Sequence, residues 1–135
     1  MIIINVEING AFLNSYWADG LIIATPTGST AYSMSCGGPI LAPNSGCFVI
    51  TPKAPHNLTV RPLVVPDTSE IKISVTGRDV DSCLVSLDSR SQTMEHVDSL
   101  IIKKGSFPIR IVRPEGSSYF RTVRHKLKWG EDIRN

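Results

Sequence analysis

Ile71-Lys72-Ile73-Ser74-Val75 is the stretch on which the reading of the fold turns. Ile71, Ile73 and Val75 alternate with Lys72 and Ser74, the period of two that sends one set of side chains into a core and the other toward water. Outward from it the chain keeps producing short β-branched runs broken by turns. Leu63–Val65 and Cys47–Thr51 lie on the N-terminal side; Cys83–Leu87, Ser99–Lys103 and Ile109–Val112 lie on the C-terminal side. Pro52, Pro55, Pro62, Pro66 and Pro108 stand at run boundaries, where a sheet tolerates a residue with no N–H to donate. Many short strands at turn-punctuated spacing predict a mostly β chain, a multi-stranded sandwich-like or barrel-like domain.

Further toward the N-terminus, Ile2 to Tyr16 reads as a hairpin about Asn9-Gly10, a pair suited to the two positive-φ positions of a type I′ turn. A short apolar strand, about Leu21 to Thr25, follows Asp19-Gly20 and ends at Pro26. Thr27 to Ser35 is rich in small hydroxyl residues, which suit a helix N-terminus, and Gly37-Gly38-Pro39 stops whatever helix forms. At the other end, Phe120, Val123 and Leu127 fall at i, i+3 and i+7, with Arg121, Arg124, Lys126 and Lys128 elsewhere around the wheel. That pattern predicts one amphipathic helix packed by its apolar stripe.

Composition sets the outer bounds. With 135 residues, 41% hydrophobic and 19% charged, the chain has the length and balance of one globular domain, residues 1–135. Its longest apolar stretch, Leu21–Ala24, is too short to span a bilayer, and Met1–Ile4 has no basic segment of the kind that opens a secretory signal. A soluble cytoplasmic protein without a membrane partner is the expectation. Cys36, Cys47 and Cys83 form no CxxC pair, and His56, His96 and His125 lack metal-ligand spacing, so free thiols and no structural metal are expected. Charge is uneven, with a basic excess confined to residues 101–135. Nucleic acid could use such a tail, but a solvated helix face is the plainer reading.

Chemistry concentrates in Asp19 to Pro39. An acidic residue precedes a buried strand, and a hydroxyl-rich glycine turn follows it. Such strand-to-helix turns gather backbone N–H groups that can hold a phosphate or a carbonyl oxygen. Asp19 could accept from ribose hydroxyls or an amide NH2, and Tyr32 offers a flat face to a ring. Equally, Thr27, Ser29 and Thr30 could be ordinary caps, Asp19 a turn residue and Tyr32 core; pattern alone does not choose. Two routes to catalysis close: no lysine follows Gly28 before Lys53, as a P-loop requires, and no GxSxG pentapeptide supports Ser29, Ser33 or Ser35 as a nucleophile.

Asp19-Gly20-Leu21-Ile22-Ile23-Ala24-Thr25-Pro26-Thr27-Gly28-Ser29-Thr30-Ala31-Tyr32-Ser33-Met34-Ser35, followed by Gly37-Gly38-Pro39, resembles the DGLIxxTPTGSTAYSxSxGGP signature of NAD kinases. Pro55-His56-Asn57-Leu58 with Arg61-Pro62-Leu63-Val64-Val65-Pro66 is similar to that family's PHxLxxRPLVxP block. Ser118-Tyr119-Phe120 and Lys126-Leu127-Lys128-Trp129-Gly130 look like its SYFxxLRxKLxWG ending, so three ordered blocks cover nearly the whole chain. The resemblance implies a two-domain, homo-oligomeric kinase (dimer or tetramer) that phosphorylates the adenosine 2′-hydroxyl of NAD to give NADP. ATP and a divalent metal such as Mg²⁺ would serve the reaction, and the β-rich C-terminal domain would supply much of the NAD site. Carried over by position, Asp19 binds the nicotinamide end. Thr30, Ala31 and Tyr32 line the nicotinamide riboside, with Tyr32 near a ring, and Ser35 hydrogen-bonds the carboxamide. Ser33 and Met34 belong to the same NAD-binding stretch. Ala54 lines the adenine side, and His56 reaches a neighbouring subunit's ligand or else braces a turn.

Departures from the family pattern bear on activity. The chain contains no Gly-Gly-Asp, so the family's GGDGT loop and its catalytic aspartate have no counterpart among these residues. The Asn-Glu pair that holds the adenosine end is expected just before Met1, and Asp88-Ser89-Arg90 departs from the family's usual turn. The expectation is therefore an NAD-binding half that is inactive by itself and prone to self-association. A diacylglycerol-type lipid kinase of the same superfamily is one alternative. A non-catalytic nucleotide- or nucleic-acid-binding β module is the other.

Overall fold

A computed structural model describes residues 2–77, 82–95 and 99–130. The strands are β1 (Ile2–Ile8), β2 (Ala11–Ala18), β3 (Gly20–Ala24), β4 (Cys47–Lys53), β5 (Leu63–Pro66), β6 (Ile71–Thr76), β7 (Ser82–Leu87), β8 (Arg90–Glu95) and β9 (Leu100–Ile102). Two helices, α1 (Tyr32–Ser35) and α2 (Tyr119–Leu127), complete the described elements together with a 3-10 turn at Thr27–Thr30.

β1 and β2 form the hairpin read from the sequence, with Asn9 at φ 51° and Gly10 at φ 79°. Those are the left-handed positions of a type I′ turn, whose twist matches the strands it joins. β6 pairs with the other edge of β1, and β9 pairs with β6, giving a sheet ordered β2-β1-β6-β9. Asp19 alone then separates β2 from β3, and at that residue the chain leaves the first sheet for a second, ordered β3-β4-β5.

The two sheets bury their facing sides together. Ile4, Val6, Tyr16, Ala18, Ile71 and Ile73 come from the first sheet, and Phe48, Ile50 and Val65 from the second. Every second residue is used, as a pleated strand dictates. β4 is buried on both sides: Phe48 and Ile50 enter the sandwich core, whereas Thr51 meets Ser33 of the segment that crosses the outer face. Burying each large apolar side chain contributes about 1.5–3 kcal/mol, so β4 is the most heavily anchored strand.

One strand expectation needs correction here. Ile109–Val112 is not a strand, and Val112 is 92% exposed; its β-branched run lies between prolines and pairs with no described strand. Sequence reading passed over β8, whose residues are polar except for the half-buried Met94 and which pairs along its length with β7. The chain divides into two compact units, residues 1–104 and 105–135.

Within the second unit α2 forms where predicted. Ser118 Oγ accepts from the Arg121 N–H at 3.4 Å, Lys128 closes the helix at φ 50°, and Arg124, His125 and Lys126 occupy the last turn. Cations there complement the negative end of the helix dipole. The expected apolar stripe is not buried: Val123 and Leu127 are half-covered and Phe120 is 68% exposed.

Candidate functional site

The segment from Thr25 to Leu41 is held from below by hydroxyls. The Gly28 N–H donates to Thr25 Oγ1 at 3.3 Å as the 3-10 turn begins. Ser29 is fully buried; its Oγ donates to the Pro26 carbonyl at 2.7 Å and accepts from the Leu41 N–H at 3.0 Å. Ser33 is buried one turn later, with its Oγ 2.9 Å from Thr51 Oγ1 on β4. The Gly38 N–H donates to the Ser33 carbonyl at 2.8 Å, which folds the Gly-Gly-Pro stop back onto α1. A buried hydroxyl without a partner costs about 1–3 kcal/mol, so these pairings fix the loop in one conformation.

With those hydroxyls turned inward, the other face of the segment is left outward. Ala31, Tyr32 and Ser35 are exposed, while Thr30 and Met34 are half-buried. Tyr32, at the start of α1, keeps 54% of its surface accessible. Of the residues expected to touch a ligand, only Ser33 has its hydroxyl committed to the interior.

The crossover residue stands beside this face. Asp19 is exposed, and its N–H donates to the Lys53 carbonyl at 3.0 Å. The His56 N–H donates to the Trp17 carbonyl at 2.8 Å, so residues 17–20 and 53–56 are stitched together along their backbones. Between them Ala54 takes φ 46°, a left-handed conformation in which an alanine is uncommon, and both Ala54 and His56 are exposed.

Lys53 links the two groups. Its Nζ lies 5.6 Å from the centre of the Tyr32 ring, within cation–π range. The Tyr32 hydroxyl, as hydrogen-bond partner and as a charge, raises the Lys53 pKa. Lost hydration opposes this, and Asp19 and Cys36 add smaller upward pushes. No motif singles Lys53 out; it reaches the patch because β3 and β4 pair Gly20 with Lys53, a register invisible in a single sequence. Tyr32, Lys53 and Asp19 thus present a ring face, an ammonium donor and a carboxylate acceptor together. Among the described residues no three His, Cys, Asp or Glu side chains gather as a metal cage.

The model of the ATP-NAD kinase C-terminal domain family matches residues 1–114. The chain belongs to that family. Among curated NAD kinases, that of Flavobacterium psychrophilum is 58% identical over all 135 residues, which cover 46% of the relative. That of Flavobacterium johnsoniae is 57% identical with the same coverage. The chain therefore spans about half the length of the NAD kinases it matches. A crystal structure of yeast NADH kinase complexed with NADH superposes with TM-score 0.83 at 29% identity, covering 98% of this chain and 41% of that one. An NAD kinase from Archaeoglobus fulgidus in complex with ATP gives TM-score 0.81 at 28% identity, covering 95% and 48%. The mostly β reading of the fold stands with these NAD kinases. No described helix is long and apolar enough to cross a membrane.

Proposed function

We propose that residues 1–135 are the NAD-binding domain of an NAD kinase, which transfers a phosphoryl group from ATP to the adenosine 2′-hydroxyl of NAD to give NADP. The supporting observation is Tyr32, half-exposed on a loop whose buried serines hold it from beneath and adjoining the exposed Asp19 through Lys53. A half-exposed aromatic ring is a stacking surface, and a carboxylate beside it accepts from an amide NH2 or ribose hydroxyls. On this proposal Asp19, Tyr32 and Ser35 grip the nicotinamide end, Thr30 and Ala31 line its riboside, and Met34 completes the stretch. Ser33 acts through its bond to Thr51, by shaping the wall. Ala54 faces the adenine side, and His56 reaches a ligand in a neighbouring subunit of a homo-oligomer.

These residues bind and orient. Phosphoryl transfer depends on positioning together with a base at the attacking hydroxyl and charge neutralisation at the phosphates. On this proposal a longer enzyme supplies those groups, uses ATP with a divalent cation such as Mg²⁺, and works in the cytoplasm. Ligand-detected NMR on the purified chain with NAD and NADP, repeated with Asp19→Asn, tests the binding role. The expected result is saturation transfer to the nicotinamide protons that falls with the substitution. No NAD signal from the chain, alone or with the N-terminal half of a flavobacterial NAD kinase added in trans, would overturn the proposal.

A further inference from the structure

Lys53 lies outside every motif block quoted above, yet its position is closely defined. As the last residue of β4 it is in register with Gly20, and a Cβ built on Gly20 would meet the Lys53 Cδ at 3.8 Å. The lysine stem therefore runs across the glycine that follows Asp19 and carries the ammonium to within 5.6 Å of the Tyr32 ring centre. Of the two features that would attract a cation at this patch, the face of the phenol ring already has an ammonium 5.6 Å from its centre, and the carboxylate of Asp19 acts electrostatically on the same ammonium.

That matters for one chemical distinction. The oxidised nicotinamide ring is a pyridinium carrying a positive charge, and the reduced ring is neutral; the rest of the dinucleotide is unchanged. A bare carboxylate and ring face would favour the pyridinium by charge and by cation–π attraction. We infer that Lys53 is a specificity-determining residue that removes this preference, so that the site accepts the reduced dinucleotide at least as well as the oxidised one. The inference rests on the dinucleotide-binding proposal above. The raised pKa of Lys53 agrees with it, since the ammonium interacts with Tyr32 first and with Asp19 as well.

The test is a pair of titrations, NAD and NADH, on the wild-type chain and on Lys53→Met and Lys53→Arg, with the N-terminal half of a relative added if binding needs it. Lys53→Met should move the ratio of the two dissociation constants toward NAD by roughly three- to tenfold, the scale of one charge acting over several ångströms at a wet surface. Lys53→Arg should hold the wild-type ratio, and added salt should shrink the shift. A Lys53→Met chain that binds both ligands in the wild-type ratio would overturn the inference. Equal weakening of both would also overturn it, because Lys53 would then be a general anchor for phosphate. Failure of the wild-type chain to bind either ligand is a different result: it would sink the binding-domain proposal and this inference with it.

Discussion

At Gly38 an added Cβ would overlap Ser33 Oγ and stand 2.8 Å from the Ser33 carbonyl oxygen and 2.9 Å from Thr51 Oγ1. A hydroxyl can rotate away, but the carbonyl is already receiving the Gly38 N–H and belongs to α1. Gly38→Ala is therefore expected to destabilise the chain by about 1–3 kcal/mol, the usual cost of overpacking a filled site. Urea denaturation measures this as a lower midpoint, and an unchanged midpoint would show that the loop simply moves aside. Residues of this kind also mark how far the sequence could be read. Asp19 and Tyr32 were legible as candidates because a carboxylate and a ring beside a glycine turn are chemically conspicuous. Ser33 and Ser35 looked alike in the same run; only the pleat of β4, which aims Thr51 outward, makes one interior and leaves the other exposed.

Among the elements, burial separates strong strands from weak ones. β4 is covered on both faces, whereas the β7–β8 hairpin is a two-stranded sheet of its own, with Leu84 68% exposed. An isolated hairpin is marginal in water. Amide exchange should accordingly be slower at Phe48–Ile50 than at Leu84–Ser86 by roughly two orders of magnitude or more, since opening free energies run from near zero to the global value. Equal protection would mean that the hairpin is covered in solution. Strands with alternating burial, such as Ile71–Thr76, were readable because packing writes itself into composition. β8 was not, because backbone pairing leaves no hydrophobic trace. Ile109–Val112 misled for the complementary reason: β-branched residues favour a strand only where a partner edge receives them.

For the whole molecule, the decisive fact is extent: the chain spans about half the length of the curated NAD kinases it matches. Its 135 residues contain no Gly-Gly-Asp. Incubated with NAD, ATP and Mg²⁺, the purified chain is expected to form no NADP, because binding and orientation without a base at the 2′-hydroxyl leave the barrier standing. Detectable NADP above a heat-killed control would contradict this. Architecture was legible at this scale from the number and spacing of strands, and the basic excess of residues 101–135 falls close to the division at residue 104. One last consequence follows from the buried hydroxyls of Ser29 and Ser33. Ordering a flexible loop costs on the order of 1–2 kcal/mol of backbone entropy per residue. Here that ordering is complete once Ser29 and Ser33 have found Pro26, Leu41 and Thr51. On the proposed binding role, a guest reaching Tyr32 would meet a wall that is already finished, and its affinity would not be reduced by the work of building one.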